Sequence, residues 1–151
     1  MDLGEKVNNI RLKDQHSELL DISTLRGKKV LLSFHPLAFT KICSQQMKAL
    51  EENYQEFENL NVIPLGISVD PVPAKHAWAR ELGLKRLRIL SDFWPHGGVA
   101  QMLGIFRNDD GFSERANIIL DEEGKIIFKK VYEIKTLPDL SEILDFIKNY
   151  K

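Results

Sequence analysis

The sequence predicts an α/β fold, a mixed central β-sheet with helices on both faces, and three observations lead there. Short apolar runs of strand length recur at Lys28–Phe34 and Asn61–Asp70. They read as strands buried on both faces. The segments between them change to apolar spacings of three and four, the period of a helix. Towards the C-terminus two further strand-like runs flank Glu122-Glu123-Gly124, a compact antiparallel hairpin signal.

Taken in order, two short strands are expected around Ile10–Lys13 and Glu18–Asp21. The run KKVLLSF forms the first strong strand and stops at Pro36, which cannot donate to a ladder. From Cys43 to Glu58, residues Met47, Leu50, Tyr54 and Phe57 line one helical face. The strand Asn61–Asp70 ends in a Pro-rich turn. A helix over Ala74–Leu82 closes at Gly83, and Arg88–Leu90 is a short strand. A helical segment follows near Gly98–Leu103. The hairpin strands are Arg115–Asp121 and Lys125–Tyr132. The chain closes on a helix from Pro138 to Asn149, with Pro138 suited to a first turn and Leu140, Ile143, Leu144 and Ile147 on one face.

The 151 residues contain no repeat, low-complexity tract or Gly/Ser linker, so residues 1–151 are expected to form a single domain. The balance of 21 basic and 22 acidic residues, net charge −1, gives no concentrated basic face. Lys28-Lys29, Lys85-Arg86 and Lys129-Lys130 are isolated pairs that read as solvated strand ends, and no nucleic-acid partner is expected. No stretch approaches the roughly 20 apolar residues of a membrane span. The first residues show no apolar run of signal-peptide length, so the expected location is a reducing cytoplasm. The single cysteine, Cys43, rules out an intrachain disulfide and any Cys-rich metal site. No cofactor is expected.

That cysteine is the candidate nucleophile. A buried strand runs into the loop His35-Pro36-Leu37-Ala38-Phe39-Thr40, and Cys43 sits where the next helix begins. Sites of open α/β sheets lie at this end of the strands. The first-turn N–H groups and the helix dipole favour an anion there, and the thiolate is the reactive form of cysteine. A lone free cysteine is otherwise commonly a small buried hydrophobe.

The neighbouring residues decide between the two. Pro36, Thr40 and Cys43 form Pro-x-x-x-Thr-x-x-Cys, and the full run PLAFTKIC closely resembles the active-site signature of peroxiredoxins. Ser91–Ile105 (SDFWPHGGVAQMLGI) resembles the matching segment of peroxiredoxins of the alkyl hydroperoxide reductase E type. Gly66–Asp70 resembles the family's second core strand, and Arg115–Asp121 the strand that opens with its arginine. The resemblance spans about Asn8 to Asp145 and implies a thioredoxin-like fold.

It further implies a thiol-dependent peroxidase acting on hydrogen peroxide and organic hydroperoxides. Cys43 would be the peroxidatic nucleophile, and Arg115 would place its charge beside thiolate and peroxide. The Thr40 hydroxyl would serve both, and Pro36 would shield the sulfur from bulk water. Cysteine becomes a sulfenic acid, and with no second cysteine an external thiol or redoxin must resolve it. A homodimer formed through the loops around the site is the implied assembly. The alternatives are a peroxide sensor or relay, which shares the site and differs in the recipient of oxidation, and a holdase, which would not need Cys43. His35 departs from the Phe or Tyr of many members and reads equally well as a structural histidine. Trp94, Pro95 and His96 are expected to be pocket wall or core.

Overall fold

The computed structural model describes residues 1–150. Its strands are β1 (Arg11–Lys13), β2 (Leu19–Asp21), β3 (Lys29–Phe34), β4 (Val62–Ser68), β5 (Arg88–Ser91), β6 (Phe106–Arg107), β7 (Phe112–Ser113), β8 (Arg115–Leu120) and β9 (Ile126–Tyr132). Its helices are α1 (Lys41–Glu52), α2 (Tyr54–Asn59), α3 (Val72–Leu82), α4 (Gly98–Met102) and α5 (Leu140–Asn149). Among the described residues no helix is long and apolar enough to cross a membrane.

Seven strands form one sheet in the order β2-β1-β5-β4-β3-β8-β9. The centre β5-β4-β3 is parallel, as crossover helices require, while β1 and β8 join it antiparallel. Strand alternation divides the core in two. Val30, Leu32, Phe34, Ile118 and Leu120 face one side with Val99 and Ala100 of α4, Leu103 just after it, and the N-terminal Val7 and Ile10. Leu31, Ile89 and Ile119 face the other, against Met47, Phe57, Trp78, Ile143 and Ile147 of the remaining helices. Helices therefore cover both faces, four on one and α4 on the other.

The elements depart from expectation in several places, among them a start of α3 at Val72 instead of Ala74. The helix expected over 43–58 is two, because the backbone leaves the helical range at Asn53 (φ −103°, ψ 13°), whose side-chain amide also donates to the Ala49 carbonyl at 2.8 Å. Its start lies at Lys41 rather than Cys43, with Thr40 extended at the N-cap. Pro138 stands before α5 instead of within it, since Asp139 is the cap and accepts from the Ser141 N–H at 3.0 Å. The small β6–β7 hairpin was not expected, its strands being two residues each.

The β8–β9 connection follows the expected chemistry. Asp121 accepts from the N–H groups of Glu123 and Lys125, and Gly124 turns the chain at φ +87°. A Cβ there would also collide with the Arg26 guanidinium.

Candidate active site

Strand β3 ends at Phe34, and the chain crosses to α1 through the loop 35–40. Two features fix that loop. Asp70, just after β4, accepts from the Ala38 N–H at 2.8 Å and from the Ser68 hydroxyl. Phe39 is held at φ +66°, a conformation that costs a bulky residue about 1–3 kcal/mol. The loop thus delivers the chain to the start of α1 in one geometry.

Within α1 the first intrahelical bond runs from the Ser44 N–H to the Thr40 carbonyl. The amides of Lys41, Ile42 and Cys43 precede it and belong to the orphan donors of a helix start. Cys43 is the third helical residue and is fully buried. It forms the floor of a cavity of about 300 Å³ lined by Pro36, Leu37, Thr40, Ile42, Phe112 and Arg115 among others.

Arg115 opens β8, across β3 from the loop, and is 2 % exposed. Its Nη1 donates to Cys43 Sγ at 3.3 Å and to Gln46 Oε1 at 2.8 Å. Its Nε donates to the Ile134 carbonyl at 3.0 Å. The guanidinium is clamped at two points beside the sulfur. Gln46 is itself held, donating to the Ser33 hydroxyl at 2.7 Å and to the Phe34 carbonyl. Ser33 in turn donates to Asn117 Oδ1 at 2.7 Å. A buried polar chain therefore runs under the site, every member paired, as burial of such groups demands.

The four residues singled out from the sequence, Pro36, Thr40, Cys43 and Arg115, line the same cavity. The Thr40 hydroxyl donates to the Leu37 carbonyl at 2.7 Å; it can still accept, and it can donate elsewhere by rotation. Gln46 was not anticipated, although it follows Cys43 by three on a helix and so shares its face. Trp94 is 80 % exposed, so it is not core. With Pro95 it lines a separate cavity that includes Asn9, Leu12 and Met102. His96 meets the Gly111 carbonyl at the surface.

His35 is structural in its burial and unusual in its partner. It is fully buried, and its Nε2 lies 3.0 Å from Nζ of Lys75, which is fully buried too. An ammonium can only donate, so Nε2 accepts and the proton sits on Nδ1, which has no partner. Burial first, then the Lys75 charge, hold His35 well below its usual 6.5. Burial likewise pushes Lys75 from 10.5 down to about 7.

These shifts fix the sign of a stability profile. Between about pH 7 and 10.5 the unfolded chain carries a proton on Lys75 that the native chain does not, so stability rises with pH across that window. His35 extends the loss as pH falls below 6.5, because its neutral form is the native one. The melting temperature of the parent is therefore expected to fall from pH 10 towards pH 5. Lys75→Met should remove the part between pH 10 and 7, so that the stability of the variant changes less with pH across that window. Thermal melts across pH measure this; identical profiles for parent and variant would refute it.

A buried cysteine sulfur at a helix start, a clamped arginine and a small apolar cavity suit thiol-based redox chemistry. The AhpC/TSA family profile matches residues 3–129. The chain is 39% identical over 132 residues to alkyl hydroperoxide reductase E of Mycobacterium bovis, covering 87% of this chain and 86% of that protein. It is 31% identical over 156 residues to a peroxiredoxin of Pyrococcus abyssi, covering 99% of this chain and 71% of that one. The AhpC crystal structure from Enterococcus faecalis superposes with a TM-score of 0.89 at 20% identity, over 97% of this chain and 90% of that chain, a likeness of fold. The chain belongs to the AhpC/TSA family, and it is a thiol-dependent peroxidase with the thioredoxin-like fold of peroxiredoxins. The relatives favour this reading over the sensor alternative.

Proposed function

We propose that this peroxidase works through Cys43 alone, with Arg115, Thr40 and Pro36 completing the site and an external thiol closing the cycle. The observation that carries the reading is the 3.3 Å contact between Arg115 Nη1 and Cys43 Sγ inside a cavity open to small molecules. The Cys43 thiolate attacks one peroxide oxygen, the O–O bond breaks, and the sulfur becomes a sulfenic acid. The other oxygen leaves as hydroxide or alkoxide and takes a proton. Negative charge moves from sulfur onto that leaving oxygen. The guanidinium and the free first-turn amides of α1 stabilise it there, as fixed dipoles do in an oxyanion hole. Thr40 adds a hydroxyl to the peroxide, and Pro36 keeps bulk water from the sulfur. The lining by Leu37, Ile42 and Phe112 suits the alkyl group of an organic hydroperoxide as well as hydrogen peroxide.

With one cysteine in the chain, the reductant is an external low-molecular-weight thiol or a redoxin. It attacks the oxidised sulfur, forms a mixed disulfide and is exchanged by a second thiol. Leu37 at 36 % and Phe39 at 53 % exposure lie on the loop around the site. They support a homodimer formed through that loop, and the reducing demand of the cycle supports a cytoplasmic location. Steady-state peroxide consumption against a panel of thiols and redoxins tests the scheme. Turnover is expected only when a competent reductant is present. Sustained turnover with no added thiol would overturn it.

A further inference from the structure

Lys75 is the one fully buried lysine among the described residues, and the chemistry above does not use it. It sits on α3 with no exposed surface, and its side-chain hydrogen bond among the described residues runs to His35. Burying an ammonium without a hydrogen-bonded carboxylate is costly. Ala38, Met47 and Trp78 belong to the apolar cluster of this part of the core, together with Cys43.

Its position explains where the charge is aimed. Trp78, one turn along α3, donates its indole Nε1 to the hydroxyl of Ser44 at 3.2 Å, next to Cys43. Lys75 Nζ lies 5.6 Å from the centre of that ring, and the His35 ring packs against it at 5.2 Å. His35 itself precedes Pro36, which lines the Cys43 cavity. The charged groups that act on Lys75 are Asp70, Cys43 and Asp92, while Arg115 acts on His35. Both carboxylates are anchored by donors of their own, Asp70 by Ala38 and Ser68, and Asp92 by the N–H groups of Val99 and Ala100. Cys43 is the one of the three whose ionisation the reaction requires.

We propose that Lys75, held by His35, is a positioning residue of the peroxidatic centre, its charge stabilising the Cys43 thiolate from the core side while Arg115 does so from the cavity side. This rests on Cys43 as the reacting thiol. Burial brings Lys75 to about 7, so the assistance is present below neutral pH and fades above it. The coupling is reciprocal: a thiolate at Cys43 must equally help Lys75 keep its proton.

Both directions can be measured. The rate of oxidation by hydrogen peroxide, followed by tryptophan fluorescence, is compared from pH 5.5 to 9 in the parent, Lys75→Met and His35→Phe. Both variants should be roughly tenfold slower at pH 6, equivalent to one unit of thiolate ionisation, and should converge on the parent by pH 9. A parent-to-variant ratio that is flat with pH would reduce Lys75 to a packing role and overturn the proposal. The second measurement needs no change at Lys75. Its Cε and Hε signals are titrated by NMR in reduced parent and in Cys43→Ser. Loss of the thiolate should lower the midpoint; equal midpoints would overturn the proposal even if a Lys75 variant fails to fold. If Cys43→Ser still consumes peroxide, the assignment of the reacting thiol fails instead, a separable result.

Discussion

Cys43→Ser is expected to lose peroxide consumption altogether while keeping its fold. At neutral pH a serine hydroxyl has no accessible anionic form, and it is a far weaker nucleophile towards oxygen than a thiolate. The substitution is small and the new hydroxyl can accept from Arg115, which stands 3.3 Å from the present sulfur. The helix start, the Asp70 tether and the polar chain beneath the site are untouched. A near-native circular dichroism spectrum with no turnover is therefore the predicted pair of results. Appreciable turnover in a folded Cys43→Ser protein would remove Cys43 from the chemistry.

Arg115→Ala should be the second most damaging change, slowing the reaction by about 10²–10³-fold, the usual loss when one fixed donor to a developing anion is removed. Two effects add. The thiolate loses the cation beside it, and the departing oxygen loses its partner. The first is pH-dependent, so the variant should gain more rate than the parent when pH is raised. Some stability should go as well, because Gln46 Oε1 and the Ile134 carbonyl lose their donor. Arg115→Lys separates charge from geometry. It keeps the cation and gives up the fork that reaches sulfur, glutamine and carbonyl together, so an intermediate rate is expected. Single-turnover rates across pH measure all three proteins. A parent-like rate in folded Arg115→Ala would place the charge stabilisation elsewhere.

How much of this was legible in the sequence differs by element. The doubly buried strands β3 and β4 were clear from apolar runs alone, since a parallel centre must be covered on both faces, and β8 from its place in the hairpin. Pro36, Thr40 and Cys43 were legible because their spacing is local. Arg115 was reached through the resemblance of its strand. Its contact with Cys43 is created by the antiparallel pairing of β8 with β3, 72 residues apart in sequence. Gln46 was missed, although its offset of three from Cys43 places it on the same helical face. The Asn53 break was hidden because the apolar face continues through Tyr54 and Phe57 while the backbone departs at the polar residue before them. A structural His35 was among the sequence readings, but its pairing with Lys75 could not be read, because Lys75 looks like an ordinary surface residue until the sheet and α3 bury it.

The central claim, a single reacting thiol resolved from outside the chain, is tested most directly by intact-mass spectrometry after one equivalent of hydrogen peroxide. Cys43 has no exposed surface and lies at the floor of its own cavity, so two such sulfurs are not placed to meet. Without reductant, the main first product should be a subunit carrying one added oxygen, or its trapped sulfenate adduct. Excess peroxide should carry it on to the sulfinic acid, which ordinary thiols do not reverse. Adding thiol before that point should return the reduced mass through a mixed disulfide. A covalent dimer as the main first product would show Cys43 resolving against its neighbour and would contradict the account.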